Sequence, residues 1–227
     1  MKNRQKKELP NITEVFETLK AQYGEAKTEL TYENEFQLLI AVILSAQCTD
    51  ARVNLTTPAL FSQFPTPGAL ANAKPKEVEK LIHSCGFYRQ KAISIQSAAK
   101  DIAEKFQGKI PKTMEELTGL RGVGRKTASV VMNQAFGLPA IAVDTHVKRV
   151  SQRLGWTESE NPEKIESDLK EVIPMPLWCH VNGLLIFHGR RICKARKPLC
   201  NDCEIKSHCA YFHKHEEKVM GRKQKLK

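Results

Sequence analysis

The stretch EFQLLIAVILSAQ is apolar on nearly every face from Phe36 to Leu44. A helix that is apolar all round has no face suited to water, so other elements must cover it. A strand is the alternative for such a run, but its length and the residues Gln37, Ala41 and Ala46 favour a helix. The chain is therefore expected to fold around one buried central helix.

Helical periodicity continues through almost the whole chain. The segment NITEVFETLKAQYG begins with Asn11 as an N-cap, has Glu14 at the capping-box position and ends at Gly24. Short connections such as FPTPG separate the later helices, and no alternating segment is long enough to predict a strand. The fold class is therefore all-α, with about ten helices. The later helices are predicted near 51–64, 75–85, 90–106, 114–120, 124–136, 145–154, 162–172 and 176–189.

The chain is basic: among its 227 residues, 36 Lys and Arg stand against 25 Asp and Glu, a formal net charge of +11. This excess predicts an anionic partner, either an acidic polymer or an anionic membrane surface, unless the surface is merely an ordinary basic one. The sequence has no long apolar run, and its N-terminus, MKNRQKKELP, precedes no apolar segment. Neither a membrane span nor a secretory signal is expected, which predicts a cytoplasmic protein.

Four of the seven cysteines lie within seventeen residues, in the segment CKARKPLCNDCEIKSHC. Four thiolates so close in sequence repel one another unless a cation neutralises them, so a metal centre is predicted. Zinc is the alternative to an iron–sulfur cluster. Four-thiolate zinc sites commonly use two short C-x2-4-C pairs, whereas one loop with gaps of six, two and five favours the iron–sulfur cluster. The expected ligands are Cys193, Cys200, Cys203 and Cys209, while Cys48, Cys85 and Cys179 are expected to be ordinary buried thiols.

The loop that holds these cysteines is also basic, and no acidic residue occurs from His188 to Cys200. A cation-rich loop held by a metal centre is a stiff surface for phosphate. The alternative is a charge run that only keeps the loop in water, but the absence of any acid favours phosphate binding. Contacts with phosphate are predicted for Arg191, Lys194, Arg196 and Lys197.

The segment LTGLRGVGRKTASVV places a Gly-Val-Gly turn between two predicted helices. The glycines allow a positive φ and the close approach of another backbone. The second helix opens with unpaired N–H groups and a partial positive charge. Together these features predict an anion site, and in a basic protein the anion is a DNA phosphate; an ordinary glycine-rich turn is the alternative. The expected contacts are Gly122, Val123, Gly124 and Arg125.

Lys126 lies in the first turn of that second helix. The positive helix end and the adjacent Arg125 disfavour an ammonium group there, so more free amine is expected, and a free amine attacks carbon to form Schiff bases. This motif alone is equally compatible with the alternative that Lys126 is a second residue that binds phosphate. The segment AIAVDTHVKRV favours the nucleophile, because Asp144, the expected N-cap of the next helix, can also stabilise a sugar cation or move a proton.

Together, LRGVGRKTASVV, IAVDTHVKRV and the four-cysteine loop resemble the endonuclease III family of helix–hairpin–helix DNA glycosylases, which carry a [4Fe–4S] cluster. LLIAVILSAQCTD and GFYRQKA are similar to further stretches of that family. The resemblance implies two helical domains with a DNA-binding cleft between them. A six-helix domain with the helix–hairpin–helix motif would span 28–138. An iron–sulfur domain would combine 1–27 with 139–213, and 214–227 would be a disordered basic tail.

The resemblance also implies the activity. Such an enzyme removes oxidised pyrimidines from double-stranded DNA and then cleaves the strand 3′ to the abasic site, acting as a monomer, and in a bacterium it would be associated with the nucleoid. By similarity, Lys126 attacks C1′ of an everted nucleotide and Asp144 assists; the nucleotide must leave the stack because C1′ is shielded inside a duplex. Gln47 and Phe87 would fill the resulting hole, and His146 would contact DNA.

Three residues depart from the family pattern. Arg121 stands where proline is usual, Phe87 replaces the commoner leucine, and Lys148 replaces an apolar or aromatic residue. Two alternative functions stay open. The first is a monofunctional glycosylase in which water activated by Asp144 attacks, and the presence of Lys126 argues against it. The second is a non-enzymatic DNA-binding module with a zinc knuckle, which leaves Asp144 unexplained.

Overall fold

A computed structural model describes residues 11–24 and 28–215 of the chain. This part is all-α and contains no strand, which confirms the predicted class. Three 3-10 helices occur, at Met175–Leu177, Cys200–Asp202 and Lys206–His208, and residues 210–215 are also helical. The α-helices are α1 (Ile12–Tyr23), α2 (Glu35–Ser45), α3 (Asp50–Gln63), α4 (Pro67–Ala71), α5 (Pro75–Leu81), α6 (Tyr88–Lys105), α7 (Met114–Gly119), α8 (Arg125–Phe136), α9 (Thr145–Leu154), α10 (Pro162–Val172) and α11 (Trp178–Arg191).

The chain divides into two compact units. The first unit is residues 28–142 and contains α2 to α8. Among the described residues, the second unit combines 11–24 with 143–215 and contains α1 and α9 to α11. The predicted six-helix domain over 28–138 and iron–sulfur domain over 1–27 and 139–213 stay predictions. The predicted disordered tail over 214–227 lies, from residue 216 on, outside the described residues.

Helix α2 is the centre of the first unit. Every residue from Phe36 to Leu44 is buried, and α2 packs against α3, α6 and α8. Its N-terminus is capped by Asn34, whose side chain accepts a hydrogen bond from the Gln37 backbone N–H at 3.0 Å. The expectation of a buried central helix is confirmed, and α2 provides the apolar surface on which α6 and α8 are fixed.

Two helix boundaries differ from the sequence-based prediction. The segment FPTPG, expected to be a connection, contains the start of α4, where Thr66 accepts the Ala69 N–H at 3.2 Å and Pro67 opens the helix. A helix of one turn is too short to show periodicity in the sequence. Helix α5 ends at Leu81 instead of continuing to Cys85, whose N–H donates to the Ile82 carbonyl in a tight turn.

The second unit is assembled from both ends of the described chain. Helix α1 packs against α11, and α9 packs against α10 and α11. The ring of Phe16 in α1 stacks on Trp156 with 5.9 Å between ring centres. As predicted, Asn11 caps α1 by accepting the Glu14 N–H at 3.4 Å, and Gly24 ends it with a φ of +67°. None of the described helices is long and apolar enough to cross a membrane.

Candidate active site and metal centre

The turn between α7 and α8 is held by two buried apolar side chains, Leu120 and Val123, and the Val123 N–H donates to the Leu120 carbonyl at 3.1 Å. Gly122 has a φ of +82°, and a Cβ built there would lie 2.7 Å from the Cβ of Ser94 in α6. Position 122 therefore requires glycine for two reasons, the left-handed backbone and the close approach to α6.

The second glycine of the turn has a different role. Gly124 is the N-cap of α8 with a φ of −87°, and nothing lies within 4 Å of a Cβ built there. The expected positive φ is thus found at Gly122 and not at Gly124, because an N-cap residue adopts an extended backbone. No side chain caps α8, so its first backbone N–H groups suit an external acceptor.

Arg125 and Lys126 are the first two residues of α8, and both are exposed. The rest of the helix is anchored, since Ala128 and Val131 are fully buried and α8 packs against α2 and α7. Lys126 therefore presents its amine from the first turn of a helix that the core holds rigidly. An amine nucleophile needs this combination of access to substrate and a fixed base.

Asp144 is the N-cap of α9, as predicted. Its Oδ1 accepts the backbone N–H of His146 at 2.9 Å and that of Val147 at 2.7 Å. Both hydrogen bonds end on one oxygen, so Oδ2 is not used by the cap. The helix therefore holds the carboxylate in one orientation while one of its oxygens remains for another partner.

His146 is half-buried against α11. Its Nδ1 lies 3.0 Å from a terminal nitrogen of Arg149, which also donates to the Gly189 carbonyl at 3.0 Å. A Cβ on Gly189 would lie 2.8 Å from that Nδ1, so position 189 has no room for a side chain. Burial lowers the pKa of His146, against the raising effect of Asp144.

Gln47 and Phe87 stand on adjoining turns of the first unit. Both adopt a left-handed backbone, with φ of 53° and 57°, which is uncommon for residues other than glycine. A Cβ built at Gly86 would lie 3.7 Å from the Gln47 carbonyl oxygen, so the two turns touch. Phe87 is 69 % exposed. A large ring left in water beside a strained backbone is typical of a contact surface.

The four predicted ligand cysteines, all free thiols, line one cavity in the second unit. The space between the lining residues, together with its opening to solvent, amounts to about 380 Å³. Among residues 11–24 and 28–215, no three His, Cys, Asp or Glu side chains are arranged to hold a single metal ion. Because all four thiols line this one cavity, a metal centre bound there can take all four as thiolate ligands.

The thiols of this cavity resist ionisation. Burial is the largest cause that raises the pKa of Cys200, Cys203 and Cys209, to about 11 for Cys203, and the neighbouring cysteines raise it further. Such thiols become thiolates only when a cationic centre compensates their charge, so binding of the centre and loss of the protons are coupled. The donor set fits an iron–sulfur cluster.

Two arginines of α9 hold the cysteine loop, and neither is among the residues predicted for the site. Arg153 donates to the Cys193 Sγ at 3.2 Å and to the carbonyls of Lys194 at 2.8 Å and Ala195 at 3.1 Å. Arg149 donates from Nε to the Cys193 carbonyl at 3.1 Å. Their spacing of four residues indicates a shared helix face, but nothing local in the sequence shows that the loop lies against it.

His188 of α11 was also not assigned to the site. The ring is 2 % exposed; its Nδ1 lies 3.2 Å from the Tyr23 hydroxyl and its Nε2 lies 3.6 Å from the Cys203 Sγ. Burial lowers the pKa of His188 to about 4 and raises the pKa of Tyr23 to about 12. A neutral imidazole therefore connects α1 to the cysteine loop.

The predicted phosphate-binding residues of the loop are exposed, but they do not behave alike. Arg191 lies over the rings of Tyr23 and Phe187, 5.5 Å and 5.0 Å from their centres. Lys194, Arg196 and Lys197 form no ion pair with any other described residue. These three side chains are available to an anion.

Comparison with known proteins identifies the family. The model of the HhH-GPD superfamily of base excision DNA repair proteins matches residues 40–175. The endonuclease III of Synechocystis sp. is 52% identical over 87% of this chain and 90% of that protein. The endonuclease III of Escherichia coli is 40% identical over 88% of this chain and 95% of that protein. The chain belongs to the endonuclease III family.

Solved structures agree with this membership. A trapped endonuclease III–DNA covalent intermediate matches with a TM-score of 0.83 and 42% identity, covering 90% of this chain and 97% of that one. A thermostable thymine-DNA glycosylase matches with a TM-score of 0.77 over 89% of this chain and 96% of that one, at 23% identity, which shows the fold alone. As a member of the endonuclease III family, the chain is an enzyme, a DNA glycosylase and abasic-site lyase, and DNA is its partner.

Three residues depart from the endonuclease III pattern, and the structure shows the exposure or contacts of each. Arg121 is exposed at the start of the turn before α8. Phe87 is the N-cap of α6 and its ring points to solvent. The Nζ of Lys148 lies 2.6 Å from the Glu160 carboxylate, and this contact lowers the pKa of Glu160. Lys148 thus ties α9 to the segment before α10.

Proposed function

We propose that this chain removes oxidised pyrimidines from double-stranded DNA and then cleaves the strand 3′ to the abasic site, with Lys126 as the nucleophile for both steps. The observation that carries the proposal is the exposed amine in the first turn of α8, a helix anchored in the core and not capped by a side chain. The amine can reach a sugar carbon while the N–H groups and Arg125 bind a flanking phosphate.

The proposed chemistry has two stages. First, the Lys126 Nζ bonds to C1′ as the bond from C1′ to the base breaks, and the base leaves with that electron pair and takes up a proton. The amine loses its protons and the sugar ring opens, which gives a Schiff base. Next, a proton leaves C2′ and its electron pair expels the 3′ phosphate, which is the β-elimination that cleaves the strand.

Asp144 is the proposed assisting carboxylate. Because the cap engages only Oδ1, Oδ2 is available to stabilise positive charge on the sugar as the base leaves, or to move a proton. His146, two residues later, is proposed as a DNA contact on the same helix end. Gln47 and Phe87, exposed on adjoining turns, are proposed to fill the hole that an everted nucleotide leaves.

The four cysteines of the cavity are proposed to hold one [4Fe–4S] cluster as thiolates. The presence of all four thiols in the lining of one cavity supports this proposal. The bound cluster would cross-link the loop that carries Lys194, Arg196 and Lys197, so that these cations meet the DNA backbone as a stiff surface. No step of base excision is assigned to it.

Borohydride trapping tests the nucleophile. Borohydride reduces a Schiff base to a stable amine, so wild-type protein mixed with duplex containing thymine glycol or an abasic site should form a covalent adduct. Lys126→Ala should form none, while the control Lys100→Ala, which removes an exposed lysine of α6, should trap like wild type. Base release without trapping in wild type would instead support the monofunctional glycosylase. Trapping only on abasic duplex would reject the proposed substrate.

Metal analysis tests the cluster. If the cysteines hold one [4Fe–4S] cluster, the isolated protein should contain about four irons per chain. One zinc per chain with no iron would reject the cluster and would support the zinc alternative. This measurement is independent of the trapping experiment, because no proposed bond change involves the metal.

A further inference from the structure

Among the described residues, two side-chain nitrogens approach the sulfurs of the proposed ligands. Arg153 donates to the Cys193 Sγ at 3.2 Å, and the His188 Nε2 lies 3.6 Å from the Cys203 Sγ. The arginine also binds loop carbonyls at the edge of the cavity, whereas the imidazole is almost completely buried. His188 therefore contacts its sulfur in a region of low dielectric, where a hydrogen bond is strong.

The second nitrogen of the His188 ring is engaged by Tyr23, whose hydroxyl lies 3.2 Å from Nδ1. A neutral imidazole has one N–H and one bare nitrogen, so the two contacts cannot both be donated by the ring. Two arrangements satisfy all partners. In one, the Cys203 S–H donates to Nε2 and the ring donates from Nδ1 to Tyr23. In the other, the tyrosine hydroxyl donates to Nδ1 and the ring donates from Nε2 to sulfur.

Metal binding selects between these arrangements. A ligand cysteine is a thiolate and has no proton to donate. The Nε2 atom must then carry the proton, and Nδ1 must accept from the Tyr23 hydroxyl. When the centre is bound, the hydrogen bonds therefore have one direction. Tyr23 of α1 donates to His188 of α11, and His188 donates to Cys203 of the cysteine loop.

We propose that His188 donates a hydrogen bond from Nε2 to the Cys203 thiolate, that Tyr23 fixes the ring tautomer which makes this possible, and that the pair raises the reduction potential of the bound cluster. This inference rests on the cluster part of the proposed function. The physical reason is that electron density on the sulfurs is greatest in the more reduced state, so a donor to sulfur stabilises that state, and such hydrogen bonds are known determinants of cluster potentials.

The test is a redox titration of the iron-loaded protein bound to duplex DNA, with the oxidised cluster followed by electron paramagnetic resonance. For His188→Leu, the ratio of oxidised to reduced cluster at fixed potential should rise about tenfold, which is a fall of about 59 mV for a one-electron couple. His188→Gln, which can place an amide N–H near the position of Nε2, should restore most of the potential.

Tyr23→Phe keeps the aromatic ring and removes only the hydroxyl, so His188 is no longer held in the tautomer that carries the proton on Nε2. This variant should lower the reduction potential by less than His188→Leu does. Its matched control is Tyr211→Phe, because Tyr211 lines the same cavity, whereas the tyrosine in contact with His188 is Tyr23. This variant should keep the wild-type potential.

Each outcome decides a separate point. Absence of iron from the wild type would reject the cluster and with it this inference. Full iron loading with an unchanged potential in both His188→Leu and Tyr23→Phe would reject only the role of His188. If His188→Leu fails to load iron, the comparison of Tyr23→Phe with Tyr211→Phe decides, and equal potentials in that pair would overturn the proposal.

Discussion

The turn around Gly122 and the cysteine loop from 193 to 209 both present cations to solvent, but they are held in place by different means. The turn is fixed by its own sequence, because Leu120 and Val123 are buried and Gly122 fits against Ser94. The loop contains two short 3-10 helices. It is held by Arg149 and Arg153 of α9, which lie 40 or more residues earlier than their partners in the loop, and by His188 of the preceding helix α11.

This difference separates two ways to make a stiff phosphate-binding surface. A turn between two packed helices needs only core packing and one glycine with a positive φ. A loop with few apolar side chains cannot be ordered by burial and needs cross-links, here arginine donors and four thiols around one cavity. Loss of the metal centre should therefore disorder the loop and leave the turn intact.

The largest effect is expected from removal of one ligand. Cys203→Ala should lower hydrogen-exchange protection of the loop amides between 193 and 209 on the order of 100-fold, because the remaining contacts open locally. Amides of residues 120–126 should keep their protection. Cys179→Ala, a cysteine of α11 that does not line the cavity, is the control and should change neither region. Equal loss in both regions would show that the turn also depends on the metal.

A smaller effect is expected from substitution of the two glycines of the turn, and it differs between them. Gly122→Ala should lower the free energy of unfolding by about 3 kcal/mol, because alanine is strained at a φ of +82° and its Cβ would meet Ser94. Gly124→Ala should cost less than about 1 kcal/mol, the difference between two N-cap residues. Urea unfolding of both variants measures this, and equal losses would refute the assignment of the close approach to Gly122 alone.

The smallest effect concerns the cations of the loop. Lys194→Ala and Arg196→Ala should each reduce the slope of log K against log salt by about 1, with little change in catalysis of the bound complex. Lys164→Ala serves as the control, since that lysine is paired with Asp168 on α10, and its slope should match wild type. Unchanged slopes in the two loop variants would remove the loop from the DNA contacts.

The same contrast explains what could be predicted from sequence. The buried helix α2 and the cap by Asp144 follow from local patterns, apolar periodicity and N-cap preference, and the structure confirms both. The contacts of Arg153 and His188 with the cysteine loop could not be predicted, because each joins residues that approach only after the second unit has folded. Gly124 shows a third case, in which a motif glycine serves as an N-cap and not as a left-handed residue.

The central claim is that the Lys126 amine bonds to a sugar carbon, and mapping of the trapped adduct tests it most directly. After borohydride reduction with abasic duplex and digestion of protein and DNA, mass spectrometry locates the residue that carries the sugar remnant. The account predicts that the remnant lies on the peptide containing Lys126 and on that side chain. A remnant on another lysine, or on the α-amino group of the chain, would contradict it.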